Sequence, residues 1–329
     1  MRKVVAALAI LSCFLCASVW AGSAFKSFTV TTEYAFPTRI AIDPSDSIWF
    51  IESNLNRIGQ FQPDKGVFSE HDIPTTRALP GDITVSRQGL VWITEMDANQ
   101  IGVIDPVSGS FKEYDIPTID SSPYRIVADK QGNIWFTEFY GNKIGMFDPQ
   151  TETFNEYPIP TPASRTSGIT TDQQGRVWFI ETQGNKLGRL DPADGKMVEF
   201  ELPLPFEAPG DVVMGASGAL WIGGRKGHSL IKFDSATERF ETFPMPDRMV
   251  SESLTVAEDG KIISTLKTSS KIVLFDPEKK KFLEVEAAMG KSKPNGIDVD
   301  SKGNIWFADT PRNALFKMDR AMVRKLWMN

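Results

Sequence analysis

The sequence predicts a seven-bladed β-propeller on three observations: a unit recurs seven times at near-constant spacing, each unit reads as four short strands, and a strand-like segment precedes the first unit to close the ring. The anchors are Trp49, Trp92, Trp135, Trp178, Trp221, Ile263 and Trp306, spaced 43 residues apart with a single interval of 42. Other columns keep this register. Ile58, Ile101, Ile144, Leu187, Leu230, Ile272 and Leu315 follow each anchor, then Asp105, Asp148, Asp191, Asp234, Asp276 and Asp319. Phe68, Phe111, Phe154, Met197, Phe240 and Phe282 form a further column, and Pro74, Pro117, Pro160, Pro203 and Pro246 end their units.

The third unit shows why each piece is a strand. Arg125 to Ala128 is an apolar run, Asp129 to Asn133 is a turn, and Ile134 to Glu138 alternates β-forming residues. The turn Tyr140-Gly141-Asn142 leads into Lys143 to Phe147, and the Asp148-Pro149 turn leads into Phe154 to Ile159. One four-stranded meander cannot bury both of its faces, whereas sheets set radially cover one another. No useful helical periodicity competes beyond residue 24. Phe28 to Pro37 contains Glu33-Tyr34-Ala35-Phe36-Pro37, an echo of Glu113 to Pro117, and is expected to be the outer strand of the last blade. The tail Arg320 to Asn329 either competes for that place or packs Met322, Val323, Leu326 and Trp327 as an added edge strand.

Arg2 and Lys3 followed by the apolar run Val4 to Val19 read as a signal peptide, with cleavage after Ala21 or Ala24. Residues 1–24 are therefore assigned to the signal and 25–329 to one propeller domain, periplasmic or secreted. Both cysteines, Cys13 and Cys16, fall in the signal, so packing and not disulfides must stabilise the mature chain. The net charge of −6 becomes two units more negative without Arg2 and Lys3, which disfavours nucleic acid; Lys279-Lys280-Lys281 reads as a solvated hairpin turn. The expected state is a monomer with a small-molecule or peptide ligand, no nucleic acid, and no membrane attachment after signal cleavage.

Ile134 to Glu138, Gly141 to Gly145 and Glu113 to Thr118 carry a resemblance to the streptogramin lyase (virginiamycin B lyase) family, which extends from about Phe28 to Asp319. The resemblance implies a seven-bladed propeller that opens a cyclic depsipeptide at its ester by elimination, with a divalent metal, carboxylates and histidines. For the metal, magnesium or calcium is the expectation. The family's histidines lie in Pro-His-x-Ile motifs beginning the innermost strands of the last two blades, where this chain has Ser251-Glu252-Ser253-Leu254 and Pro294-Asn295-Gly296-Ile297. Lys293 stands at one metal carboxylate of the family and Asp309 is the match for the other. Glu252 and Asn295 are thus the candidate catalytic positions, and Asp309 the candidate metal ligand. Asn295 cannot accept a proton as imidazole does. His71 aligns with Tyr114 in an outer strand and His228 with Asn142 in a turn, so both are assigned structural roles.

A ligand is expected where the interblade loops and the starts of the inner strands converge at one channel mouth. Just before each inner strand the blades differ, and Arg39, Asp82, Tyr124, Arg125, Asp211, Glu252 and Asn295 are expected to form a mixed-charge pocket, joined by Arg165 and Lys293. Ion pairing between blades is the competing reading. Glu52, Glu95, Glu138, Glu181 and Asp309 form a carboxylate column, read either as a cation site or as acceptors for the turn asparagines of their own blades. Three function classes follow: a metal-assisted lyase with a changed catalytic set, a cation-dependent lactonase or esterase, and a non-catalytic binding scaffold.

Overall fold

The computed structural model describes residues 17–19, 24–203, 208–224, 228–246, 250–266, 269–287 and 292–328. Ahead of the repeats lie β1 (Ala17–Val19) and β2 (Phe25–Thr29). Blade 1 is β3 (Pro37–Ile42), β4 (Ile48–Glu52), β5 (Arg57–Gln62) and β6 (Val67–Asp72), and blade 2 is β7 (Pro80–Val85), β8 (Val91–Glu95), β9 (Gln100–Ile104) and β10 (Phe111–Asp115). Blade 3 is β11 (Pro123–Ala128), β12 (Ile134–Glu138), β13 (Lys143–Asp148) and β14 (Thr153–Pro158), and blade 4 is β15 (Thr166–Thr171), β16 (Val177–Glu181), β17 (Lys186–Asp191) and β18 (Lys196–Glu201). Blade 5 is β19 (Pro209–Met214), β20 (Leu220–Gly224), β21 (Ser229–Asp234) and β22 (Arg239–Pro244), and blade 6 is β23 (Ser251–Val256), β24 (Ile262–Leu266), β25 (Lys271–Asp276) and β26 (Lys281–Glu286). Blade 7 combines β27 (Pro294–Val299), β28 (Ile305–Asp309) and β29 (Ala314–Met318) with β2, and helix α1 (Arg320–Met328) follows. The innermost strands pack side by side in a complete circle, β27 returning to β3.

The anchor column explains the ring. Each anchor is the second residue of its blade's second strand, and all six tryptophans are at most 2% exposed. Each belongs to a cluster shared with the next blade: Trp135 of blade 3 packs with Ile169, Val177 and Phe179 of blade 4, and Trp306 of blade 7 with Ile40, Phe50 and Phe61 of blade 1. Large rings buried between sheets supply the apolar area that a lone blade lacks. In blades 1, 3, 4 and 7 an aspartate six residues earlier holds the indole, as in Trp135 Nε1 donating to Asp129 Oδ2 at 2.9 Å. The glycine of the third strand is equally structural, because a Cβ on Gly145 would meet the Phe136 ring at 2.1 Å.

Two expectations need correction. The closing strand is β2, paired antiparallel with β29 so that Phe28 faces Leu315, the place Tyr114 takes against Ile101 in blade 2. Glu33 to Phe36 therefore lies in the connecting loop; the 43-residue period itself places Phe28, and not Tyr34, in the Tyr114 column. The tail is a helix and not an edge strand. Its apolar residues fall at i, i+1, i+4 and i+5, one helical face, and Val323 and Leu326 are buried against blades 6 and 7. Most of the expected signal peptide, with both cysteines and the bond after Ala21, lies outside the described residues; β1, within that segment, runs parallel to β26.

Candidate functional site

The site sequence reading singled out coincides with a break in regular pairing. In every blade the first residue of the inner strand faces the last residue of the second strand, as Pro123 faces Glu138, and the register then shifts before the next paired residue. Such bulges turn side chains away from the regular pleat. They present Arg39, Asp82, Arg125 and Asp211 toward their neighbours around the channel.

Those four side chains are brought together. Asp82 Oδ1 lies 4.0 Å from Arg39 Nε and 3.8 Å from Arg125 Nη1, while its Oδ2 accepts from the Ile126 amide at 3.1 Å. Arg39 Nη1 donates to Ser253 Oγ at 3.1 Å, and Asp211 Oδ2 accepts from the Leu254 amide at 3.1 Å and Ser253 Oγ at 3.4 Å. The network links blades 1, 2, 3, 5 and 6, so pocket formation and interblade pairing are the same arrangement. Burial pushes Asp82 up to about 7, with Arg39 pulling against it. Arg125 is 3% exposed, and its Nε and Nη2 have no hydrogen-bond partner among the described residues. Deeper along β27, Asp298 accepts from the amides of Ile42 (3.1 Å) and Val299 (2.8 Å), and burial raises it to about 6. Sequence reading missed Asp298; its signal was a lone acid in a column otherwise made of Ala41, Thr84, Val127, Thr170, Val213 and Thr255.

At the rim the same end of the channel carries an aromatic and cationic group. Tyr124 lies 5.5 Å from Phe139, whose ring meets Tyr140 edge-on at 5.1 Å. Arg125 stands 4.8 Å over Tyr124 and Arg165 4.2 Å over Tyr140, distances at which a guanidinium is attracted to a ring face. Tyr140 is 62% exposed. Phe139 and Tyr140 were also missed. They are two aromatics where Ser53-Asn54, Met96-Asp97 and Thr182-Gln183 stand in other units.

The carboxylate column behaves differently from either sequence expectation. Glu52, Glu95, Glu138 and Glu181 are fully buried, and among the described residues no cationic or amide donor is bonded to their carboxyl oxygens. The turn asparagines are engaged elsewhere: Asn142 donates to the carbonyls of Ile159 and Thr161 and accepts from the Ser164 amide. Burial, reinforced by the neighbouring Glu70, Glu113, Glu156 or Glu199, raises Glu52 and Glu181 to about 7 and Glu95 and Glu138 to about 8. Four blades build this pair identically, as a repeated structural element does. Among the described residues no group of three or more histidine, cysteine, aspartate or glutamate side chains is arranged to hold a metal.

The remaining candidates stand at the heads of the adjacent inner strands β23 and β27 and at the end of β28. Asp309 is fully buried and accepts from Ser292 Oγ and from the Lys293 amide at 3.2 Å, with Arg312 Nε 3.8 Å away. The Lys293 side chain is exposed, Asn295 is half-buried, and the Asn295 carbonyl accepts from Thr265 Oγ1 at 2.6 Å. Glu252 is half-buried at the start of β23. His71 stacks on Trp49 at 5.5 Å in an outer strand, and burial lowers its pKa. His228 takes the left-handed backbone (φ 57°) that Asn56, Asn99, Asn142 and Asn185 adopt at the same turn position.

A closed seven-bladed propeller with a polar channel and an aromatic rim defines the class. The profile of the virginiamycin B lyase family matches residues 18–171 and 150–322, and this chain belongs to that family. Among solved structures, a streptogramin B lyase superposes with a TM-score of 0.84 at 28% identity, covering 89% of this chain and 96% of that one. Virginiamycin B lyase from Staphylococcus aureus matches at 29% identity, TM-score 0.84, over 89% of this chain and 98% of that chain. A catalytically inactive histidine-to-alanine variant of the S. aureus enzyme, solved with quinupristin, matches at 28% identity and the same TM-score and coverage. The extracellular domain of BT3049 from B. thetaiotaomicron, 19% identical with a TM-score of 0.69 over 87% of this chain and 40% of that one, shares the fold alone. Comparison with curated protein sequences finds no match.

Proposed function

We propose that this protein is an exported binding member of the virginiamycin B lyase family, taking a small molecule or peptide at the channel mouth without eliminating across its ester. The observation that carries this reading is the identity of the residues opening β23 and β27: Glu252 and Asn295 occupy the positions that the family resemblance assigns to histidines. Elimination requires a base poised near neutral pH, and an amide cannot serve. Replacing one histidine by alanine leaves the S. aureus relative catalytically inactive. Asp309, the remaining candidate metal ligand, already accepts from Ser292 and the Lys293 amide. Binding is supported by the rim of Tyr124, Phe139, Tyr140 and Arg165, which offers flat apolar faces beside fixed positive charge.

Quinupristin, incubated with purified protein and excess magnesium and followed by mass spectrometry, tests the reading. The ring is expected to stay closed. Ring opening that disappears in Glu252→Gln or Asp309→Asn would establish a variant lyase and overturn the proposal.

A further inference from the structure

At the end of the ring opposite the aromatic rim, the anchor indoles of blades 1, 3, 4 and 7 reach the turn between the first two strands of their blades. In blades 1, 3, 4 and 7 an aspartate carboxylate fills that turn. Asp129 shows the pattern: Oδ1 accepts from the amides of Gln131 and Asn133, both at 2.9 Å, and Oδ2 accepts from Trp135 Nε1 at 2.9 Å. Asp43, Asp172 and Asp300 repeat it, each joining two turn amides on one oxygen to an indole on the other. The fold thus makes a three-donor cradle shaped for a carboxylate.

Blade 2 builds the same cradle and leaves out its acid. Ser86 stands where the aspartate would be, and Ser86 and Trp92 are 3% and 2% exposed. Trp92 Nε1 and Ser86 Oγ are both buried without a hydrogen-bond partner among the described residues. No side chain among the described residues accepts from the amides of Gln88 or Leu90, the counterparts of Gln131 and Asn133. A buried donor left unsatisfied is destabilising, so this grouping favours an occupant. Space for one is present: a cavity of about 390 Å³ between blades 2 and 3 is lined by Ser86 and Trp92 together with Gln88, Gln131, Asn133 and Gln150. Its charged lining residue, Asp148, keeps its carboxylate on the Gln150 amide (2.8 Å) and the Thr151 hydroxyl (3.0 Å). Blade 5 differs in carrying Gly215 at this position, where a Cβ would meet Trp221 Nε1 at 2.8 Å, and in blade 6 Ile263 has no indole.

We propose that this cavity is a carboxylate-binding subsite, in which the ligand's carboxylate takes the position that an aspartate side chain takes in the four complete blades. One carboxylate oxygen accepts from the Gln88 and Leu90 amides and the other from Trp92 Nε1, with Ser86 Oγ as a fourth donor; the amide lining receives the polar remainder of the ligand. The chemistry is shared by a free hydroxy acid and by the C-terminus of a peptide.

Acetate, titrated into the full chain at constant ionic strength against chloride, is the first probe, read at the indole ¹⁵N–¹H resonance of Trp92 assigned with Trp92→Phe. The expected result is a saturable shift of that resonance alone among the tryptophans. Ser86→Asp supplies the missing carboxylate from the chain and is expected to weaken acetate binding by about tenfold or more, with Trp92 already shifted before any acetate is added. Lactate binding tighter than acetate identifies a free hydroxy acid as the source. N-acetyl-dialanine binding tighter than its C-terminal amide identifies a peptide end. A Trp92 resonance that no carboxylate moves, or a Ser86→Asp variant that titrates like the wild type, overturns the proposal and leaves the cavity to water.

Discussion

Glu138→Gln separates a buried neutral acid from a buried charge. Glu138 is fully buried beside the Glu156 carboxylate, to which its protonated form donates, and burial, with that neighbour, raises its pKa from 4.5 to about 8 while Lys143 opposes the shift. The folded protein therefore holds a proton that the unfolded chain releases above its own, lower pKa. Stability from this group is complete below the unfolded value and is lost as pH rises through the folded value. At about 1.4 kcal/mol per unit the full shift corresponds to at most about 4–5 kcal/mol, and structural relaxation around the ionised group leaves about 2–4 kcal/mol to be observed. Glutamine has the shape of the neutral acid and keeps a donor for Glu156 at every pH. Urea denaturation at about pH 5 and pH 8 should find Glu138→Gln close to the wild type at the lower pH and more stable by about 2–4 kcal/mol at the higher. A difference independent of pH, or one that favours the wild type at pH 8, refutes the assignment of a neutral Glu138.

Trp135→Ala should cost about 3–5 kcal/mol in denaturant unfolding, because the ring is 1% exposed between blades 3 and 4. Asp129→Ala removes the acceptor for two turn amides and for Trp135 Nε1 and should cost about 2 kcal/mol, whereas Ser86→Asp should stabilise blade 2 by about 1 kcal/mol. Deleting Ala24 to Thr29 bares the edge of β29 and should promote aggregation on size-exclusion chromatography; a truncated chain that elutes and melts like the intact one would contradict closure by β2.

Much of the fold was legible in the sequence because propeller blades are periodic and locally specified. Trp49 to Trp306 counted the blades, the alternation in Ile134 to Glu138 gave the second strand to the residue, and Lys279 and Lys280 lie in the expected exposed turn between β25 and β26, with Lys281 opening β26. The errors fell where periodicity stops. Glu33-Tyr34 imitates an outer strand in composition, yet Phe28 holds the register; Met322 to Trp327 follows seven β-blades, yet its apolar spacing is helical.

The candidate site was legible only as positions. The sequence by itself determined that blades differ at Arg39, Asp82, Tyr124, Arg125 and Asp211, and that Glu252 and Asn295 stand where the family resemblance implies histidines. Tertiary structure alone decided that Asp82 sits between Arg39 and Arg125, that Asp211 reaches blade 6, and that Phe139 and Tyr140 join Tyr124 at the rim. It also decided that each repeated glutamate faces the outer-strand glutamate of its own blade, as Glu138 faces Glu156, and not its turn asparagine. The physical reason is that a repeat specifies contacts within one blade and between like surfaces of successive blades. Partners around the channel lie about forty residues or more apart in sequence, and ring closure and the bulge at the head of each inner strand bring them together.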